Sequence, residues 1–119
     1  MRDFRTIKAW HKAHALALEI YRATRGYPTD ERFALISQTQ RAAISIPANI
    51  AEGCGHDSER ELARYCQIAS GSASELEYLL LAARDLEYIS EGTHQTLDTS
   101  VNEVKRMLNA FVKTLKADR

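Results

Sequence analysis

Two pairs of side chains have a spacing that could hold a metal ion. His11 and His14 are three residues apart, and Glu52 and His56 are four apart. Residues at these spacings share one side of an α-helix. A di-iron site in a helical bundle needs a Glu-x-x-His motif on each of two helices and a glutamate from each of the other two. The two pairs lie on different segments and do not form such a set, so we expect no metal ion and no other cofactor.

A second candidate for chemistry is Cys54, which lies between Gly53 and Gly55. A thiol near the N-terminus of the next helix can be acidified, and a glycine-rich loop can cradle a phosphate. No general base is identifiable for Cys54, however, and no Gly-Lys-Ser/Thr follows the glycines. Helix termination explains the glycines better. The sequence therefore predicts a protein that is not an enzyme, with a small helical-bundle enzyme or ligand carrier as the alternative.

The formal net charge is zero, but the charges are unevenly distributed. Residues 1–25 carry six basic and two acidic side chains, residues 26–104 carry five and thirteen, and residues 105–119 carry five and one. If both chain ends lie together, they form a basic rim that could bind the phosphates of RNA or DNA. Alternatively, these side chains only solvate helix ends, where those near the C-terminus also suit the helix dipole. The candidate nucleic-acid contacts are Arg2, Arg5, Lys8, Lys12, Lys113, Lys116 and Arg119.

Four segments that must position these residues have apolar side chains at alternating spacings of three and four. They cover about residues 7–24, 31–52, 58–86 and 94–115. This repeat is typical of helices packed at about 20°. Short turns make consecutive helices antiparallel neighbours. The sequence therefore predicts an all-α, up-down-up-down antiparallel four-helix bundle, formed by residues 1–119 as one domain.

The helix boundaries have recognisable signals. Gly26-Tyr27-Pro28 ends the first helix, and a Ser58-x-x-Glu61 capping box opens the third. Residues 90–93 form the turn before the fourth. The residues expected in the core are Trp10, Ala13, Ala17, Ile20, Thr24, Ile36, Thr39, Ala43, Ile46, Ile50, Leu62, Tyr65, Ala69, Ser72, Leu76, Leu79, Ala83, Leu86, Leu97, Val101, Val104, Leu108, Phe111 and Leu115.

The segment 41–53 has a helical pattern but contains Pro47, and it carries no charge between Arg41 and Glu52. A proline inside a helix removes one backbone hydrogen bond and costs about 3 kcal/mol. Pro47 either bends the helix around the core or frees the carbonyl of Ala43 for a neighbouring subunit or a ligand. Because 3.6 residues complete a turn, the uncharged residues cover every side of this helix. A monomeric bundle needs only one apolar stripe.

Helices 2 and 3 therefore carry apolar side chains away from the core seam. We expect these side chains to lie at a contact between copies of the chain, where Arg41 and Glu52 could also form an ion pair. The alternative is that Ile44 and Leu81 are single exposed apolar residues, which are common. The predicted oligomer interface consists of Arg41, Ile44, Ala48, Ala51, Glu52, Leu81 and Tyr88.

The composition agrees with a globular chain in the cytoplasm. Hydrophobic residues make up 45% and charged residues 27% of the 119 residues, which is ordinary for a globular protein. Two cysteines fit free thiols in a reducing compartment rather than a disulfide framework. No apolar run approaches the roughly 20 residues that span a bilayer, and the N-terminus lacks the apolar region of a signal peptide. We therefore expect no membrane partner.

The order of motifs also resembles one protein family. Tyr27-Pro28, the run from Arg41 to Gly53, and Ala69-Ser70-Gly71-Ser72 are similar to the four-helix-bundle proteins encoded in intervening sequences of 23S ribosomal RNA genes. The chain differs at Gln40, where members often carry a second arginine. The resemblance implies a four-helix bundle assembled as a homopentameric barrel. It also relates the chain to pentameric accessory proteins of diversity-generating retroelements, which bind nucleic acid and a reverse transcriptase.

These observations predict a non-enzymatic scaffold or adaptor. We expect the chain to self-assemble, most simply into a pentameric ring, because identical chains tend to close into a point group. The expected partners are other copies of the chain, RNA or DNA at the basic rim, and a further protein.

Overall fold

The computed structural model describes residues 1–117, and these residues form four long helices. The helices are α1 (Lys8–Thr24), α2 (Ser37–Cys54), α3 (Glu59–Asp85) and α4 (Glu91–Ala117). Short 3-10 turns lie at Phe4–Thr6 and Thr29–Glu31, and no strand is present in the described part of the chain. The predicted all-α class and the four helices are confirmed.

Each helix packs against the helices before and after it, and α1 also packs against α4. The result is a closed antiparallel bundle of about 46 × 23 × 19 Å. The segment before α1 and the last part of α4 lie at the same end of the bundle, since the guanidinium carbon of Arg2 lies 5.7 Å from the ring centroid of Phe111. The backbone N–H of Arg2 also donates to the carbonyl of Cys54 at the end of α2 over 3.0 Å. The largest side chains that are fully buried between the helices are Leu16, Ile20, Ile46, Ile50, Leu76, Leu80, Leu108 and Leu115.

The start of helix 2 differs from the prediction. The predicted α-helix from residue 31 is instead a π-helical turn over Arg32–Ile36, and the α-helix begins only at Ser37. A π turn contains an extra residue, which shifts the side chains before α2 relative to the core. Phe33 is consequently 90% exposed, whereas Ile36, predicted in the core, is only half-buried.

The two N-terminal caps of α3 and α4 are both serines. Ser58 accepts a hydrogen bond from the backbone N–H of Glu61 over 3.0 Å, but the Glu61 carboxylate binds Arg64 instead of returning to the cap. The predicted turn at residues 90–93 was wrong, because α4 begins at Glu91. Ser90 caps α4 by accepting from the backbone N–H of Thr93 over 3.0 Å.

Helix α3 ends in a left-handed turn that the sequence pattern did not show. Glu87 has φ 63°, and the backbone N–H of Tyr88 donates to the carbonyl of Ala83 over 2.9 Å. This hydrogen bond, which closes a loop of six residues, defines the Schellman motif at a helix C-terminus. The left-handed position of this motif is usually occupied by glycine. Because the helix stops at Asp85, Leu86 leaves the core seam and is 54% exposed, contrary to the prediction.

Replacing Glu87 by glycine should stabilise the protein. A side chain in the left-handed region is strained by roughly 1–2 kcal/mol, and glycine removes that strain at some cost in unfolded-state entropy. We expect Glu87→Gly to raise the free energy of unfolding by up to about 1 kcal/mol, measured by urea titration. A lower value than that of the unmodified protein would contradict the strained turn.

Helices α2 and α3 approach each other closely at Gly53. A Cβ atom at this position would lie 2.8 Å from the Cβ of Tyr65 and 3.0 Å from Cδ1 of Leu62. Gly53 is buried inside α2, and Gly55 ends the helix with φ −75°, not in the left-handed conformation. The helix therefore ends at Gly55 as the glycines predicted, but it runs to Cys54, past the predicted last residue Glu52. The role of Gly53, however, is to allow close packing.

Two glycine substitutions should therefore have opposite effects. Gly53→Ala should lower the free energy of unfolding by about 1–3 kcal/mol, because the methyl group overpacks the α2–α3 contact. Gly92→Ala is the matched control, since a Cβ at this exposed helical position would meet only Oγ of Ser90, 4.0 Å away, and Gly92 lies on α4, outside the predicted oligomer interface. It should be neutral or stabilising by up to about 1 kcal/mol. Equal thermal unfolding of the two variants would show that Gly53 does not make the close contact.

Candidate interaction surfaces

The structure places six of the predicted nucleic-acid contacts at one end of the bundle, where α1 begins and α4 ends. Arg119 lies outside the described residues. All six are exposed: Arg2, Arg5, Lys8, Lys12, Lys113 and Lys116.

Half of these cations already have acidic partners. Arg2 lies 2.6 Å from Glu59, and Lys12 lies 3.3 Å from Glu103 on α4. Arg5 pairs with Asp3 over 3.2 Å. These pairs are solvent-exposed and each contributes little to stability, but each neutralises a cation that the sequence pattern counted as available.

The other three of these six cations lie at the same end of the bundle. Among residues 1–117 no ion pair involves Lys8, Lys113 or Lys116. We call these three lysines the basic rim. Sequence reasoning counted the cations correctly but could not assign their partners, because Glu59 and Glu103 are distant from them along the chain.

The outer side of α2 carries the predicted apolar strip and continues onto α1. Ile44 is 40% exposed, and Leu18 and Tyr21 on α1 are 41% and 38% exposed. Gln40 donates to the hydroxyl of Thr24 over 3.0 Å. Ile44 lies one turn after Gln40 on α2, and Tyr21 lies one turn before Thr24 on α1. Because the two helices are antiparallel, Ile44 and Tyr21 lie at a similar height along the bundle axis. We define the α1–α2 patch as Leu18, Tyr21, Ile44, Ala48 and Ala51.

A second apolar surface lies on the outer side of α3. Gly71, Ser74, Tyr78 and Leu81 recur at spacings of three and four, and Tyr78 and Leu81 are 65% and 37% exposed. We call these four residues the α3 patch. Because α1 packs against α2 and α4, α3 lies diagonally opposite it, and the two patches are different faces of the protomer. Sequence reasoning found Leu81 but missed Tyr78, Leu18 and Tyr21. The core repeat shows which side chains are buried, but it does not show which of the remaining apolar side chains lie together on the surface.

Tyr88, also predicted in the interface, has partners inside the chain. Its hydroxyl donates to Oε2 of Glu31 over 2.7 Å, and its ring centroid lies 5.6 Å from that of Tyr27. The hydrogen bond to the Glu31 carboxylate raises the pKa of Tyr88. This contact ties the end of α3 to the segment before α2, so Tyr88 differs from the unpartnered side chains of Ile44 and Leu81.

Arg41 and Glu52, the remaining predicted interface residues, are exposed on α2 and form no ion pair with any described residue. Arg41 lines a groove of about 440 Å³ between α2 and α3, beside Phe33 and Glu75. At the groove, the hydroxyls of Ser45 and Ser72 lie 2.8 Å apart.

The candidate metal ligands are separated by the fold. His11 Nε2 lies 2.6 Å from the carbonyl of Arg5, and His14 stacks on Trp10 with ring centroids 4.9 Å apart. Sequence reasoning missed one Glu-x-x-His spacing, Glu91 with His94, at the start of α4. Within residues 1–117 no group of three or more histidine, cysteine or acidic side chains is placed to hold a metal ion.

Both cysteines are buried free thiols. Burial raises the pKa of the Cys66 thiol to about 12 and also raises the pKa of Cys54. The suggestion that α3 lowers the pKa of Cys54 is therefore wrong, because the surroundings of this thiol raise its pKa. A protonated, enclosed thiol is a poor nucleophile.

Comparison with known proteins decides the family. Residues 5–110 match the family described as 23S rRNA-intervening sequence protein. The chain belongs to this family.

A solved structure of the S23 ribosomal protein family shares the fold. It is a protein of unknown function from Bacteroides thetaiotaomicron, similar to this intervening-sequence protein with a TM-score of 0.83 and 23% sequence identity. The similarity covers 94% of this chain and 99% of that one. No curated protein sequence shows significant similarity.

No helix within residues 1–117 combines the length and apolar character that a bilayer-crossing segment requires.

A charge in the α1–α2 patch of this intervening-sequence protein should prevent association. Ile44→Asp places a carboxylate at the centre of the patch, where burial against another copy would be unfavourable. We expect the mass measured by light scattering to fall while helicity by circular dichroism stays nearly the same. Leu86→Asp is the control, because Leu86 is exposed but belongs to neither patch. An unchanged particle mass for Ile44→Asp would contradict the role of the patch.

Proposed function

We propose that this family member is a non-enzymatic, cytoplasmic scaffold that assembles into a ring and binds RNA or DNA along one edge of that ring. The observation that carries this proposal is the presence of two different apolar patches on one small protomer. Exposed apolar surface of this kind is typical of protein–protein contacts.

Two unlike patches favour a ring over a two-fold dimer. In a two-fold dimer the same surface of each copy makes the contact, whereas head-to-tail contacts join two different surfaces and close into a ring when the rotation allows it. The α1–α2 patch of one copy packs on the α3 patch of the next. Small residues such as Gly71 and Ser74 on the α3 patch let the helices approach closely. The resemblance to pentameric relatives supports five subunits.

Such a ring would repeat the basic rim. Head-to-tail cyclic contacts keep all subunits parallel, so Lys8, Lys113 and Lys116 of every subunit face the same side. The opposite side collects acidic residues, including Asp30, Glu87 and Glu91. Phosphates bound on the basic side would displace counterions, and this release favours binding at low salt. A further protein would dock on the scaffold as an adaptor partner.

The rival function is a small bundle enzyme or ligand carrier. It is favoured by the α2–α3 groove, where Arg41, Ser45 and Glu75 surround about 440 Å³. Metal analysis and the absorbance of the purified protein separate the two functions, because a carrier would retain a ligand or metal. A particle of about five times the 13.4 kDa protomer mass that retains neither a ligand nor a metal supports the scaffold. A mass of one protomer at micromolar concentration would overturn the ring.

Reversing the charge of the basic rim should abolish nucleic-acid binding without affecting assembly. The test variant is Lys8→Glu, Lys113→Glu and Lys116→Glu. The control carries the same change in charge at the other end of the bundle, with Arg22, Arg25 and Arg32 replaced by glutamate. We expect RNA retention in about 50 mM salt for the unmodified protein and the control but not for the test variant, and weak retention for all in about 200 mM salt.

Lys12, a candidate contact from the sequence, is left unchanged in this variant because it pairs with Glu103 over 3.3 Å. Equal loss of RNA in the test and control variants would show that only net charge matters. No retention by the unmodified protein at low salt would remove the nucleic-acid role.

A further inference from the structure

A cleft lies beside the basic rim, between the start of α1 and the last third of α4. It has a volume of about 370 Å³, and its apolar walls come from Ile7, Met107, Ala110 and Phe111. Arg2 and Lys8 line its edge. Cavities that bind small organic groups have volumes of about 300–1,000 Å³ and mostly apolar walls, so this cleft is large enough for a single nucleotide.

The cleft exists because small side chains face each other where α1 and α4 meet. Ala9 on α1 and Ala110 on α4 both line it, and neither reaches across the space between the helices. The α1–α4 contact is the least extensive of the four contacts between adjacent helices. The ring of Phe111 is only partly buried, and the guanidinium carbon of Arg2 lies 5.7 Å from its centroid. An aromatic ring and a guanidinium group are the two side chains on which unstacked bases stack.

Cations lie on both sides of this apolar space. Lys8 lines the α1 side. On α4, Arg106 and Lys113 are four residues before and three residues after Ala110, so both flank it on the helix surface. Neither of these two, nor Lys8, forms an ion pair among residues 1–117. The nearby carboxylate of Glu103 is already paired with Lys12 over 3.3 Å.

This arrangement selects among anionic ligands with an apolar part. A fatty acid has one carboxylate and needs a cation at one side only. A polynucleotide that crosses the cleft places a phosphate on each side of the inserted base, which matches Lys8 on one helix and Arg106 and Lys113 on the other. A base paired within a duplex is stacked between its neighbours and cannot enter without being flipped, whereas bases of a single strand are available.

We infer that the α1–α4 cleft binds one unstacked nucleobase, so the nucleic acid that this protein holds at its basic rim is single-stranded. The inference rests on the proposed nucleic-acid role and specifies the form of the ligand. Binding to the base face also implies tolerance of sequence, because every base has an aromatic face.

Filling the cleft without changing charge tests this inference. Ala110→Phe occupies the space between α1 and α4, and Ala110 is exposed, so the fold has room for the ring outside the core. The control is Ala15→Phe, which adds the same group at an exposed position on α1 about two turns from Lys8. The probes are an unstructured single-stranded RNA and an RNA duplex of the same sequence and length, each measured by fluorescence anisotropy at low salt.

We expect the unmodified protein to bind the single strand at least about tenfold more tightly than the duplex. Ala110→Phe should lower single-strand affinity by roughly tenfold, the usual effect of losing one stacked base. Duplex affinity and the salt dependence should not change. Phe111→Leu, which keeps an apolar wall but removes the aromatic face, should lower single-strand affinity in the same direction. This second variant keeps the test valid if the phenylalanine at position 110 disturbs the fold.

Three results would overturn the inference. Equal or tighter duplex binding would show that the rim holds phosphates only, and the proposed function would survive. In a second outcome, Ala110→Phe binds the single strand as tightly as the unmodified protein but no longer binds a fluorescent fatty acid. That result would assign the cleft to an acyl chain. No binding of either RNA by the unmodified protein would overturn both the inference and the proposed function.

Discussion

The packing of α2 against α3 through small residues is the constraint on which the other features depend. Ala42, Ala43 and Gly53 on α2 and Ala69 and Ala73 on α3 are buried. A Cβ atom at Gly53 would lie only 2.8 Å from Tyr65. Helices that approach this closely leave little space between them for large side chains. The large apolar residues on the outer sides of these two helices are exposed, as Ile44, Ile68 and Tyr78 are.

Two sides of the bundle differ in how extensively their helices pack. The α1–α4 contact is less extensive than the α2–α3 contact, and it leaves a cleft beside the start of α1 and the last part of α4. Helix α4 is joined to α3 by polar clamps such as Glu77, which binds Lys105 over 2.9 Å and Asn102 over 3.0 Å. The hydrogen bond from Lys105, followed by that from Asn102, lowers the pKa of Glu77. The basic rim and the cleft are therefore carried by the helix pair with the more open contact.

Particular residues show how far sequence reasoning reached. The 3-4 repeat identified Ala13, Ile46 and Val101 as core residues because burial follows directly from helical periodicity, and all three are fully buried. It placed Leu86 wrongly, since a helix end is a local backbone event that apolar spacing does not report. It also missed Phe33, because a π turn changes the register of side chains without changing the pattern of residue types. The recognition of the family from the run between Arg41 and Gly53 is confirmed.

The candidate sites depended more on long-range contacts. From the sequence, Arg2 and Lys12 looked equivalent to Lys8, yet the first two lie beside acidic residues of α3 and α4. The α1–α2 patch required the register between α1 and α2, which the bond from Gln40 to Thr24 reveals.

The amino-acid sequence by itself determined the helices, their antiparallel order, most of the core and the basic character of both chain termini. These properties follow from local periodicity and from residue type. Only the tertiary structure decided which cations pair with acidic side chains, which apolar side chains join into patches, and where the cleft beside Phe111 opens. Such features depend on the distance between helices and on their relative rotation. Both are set by the sum of many packing contacts, so no single segment of the chain encodes them.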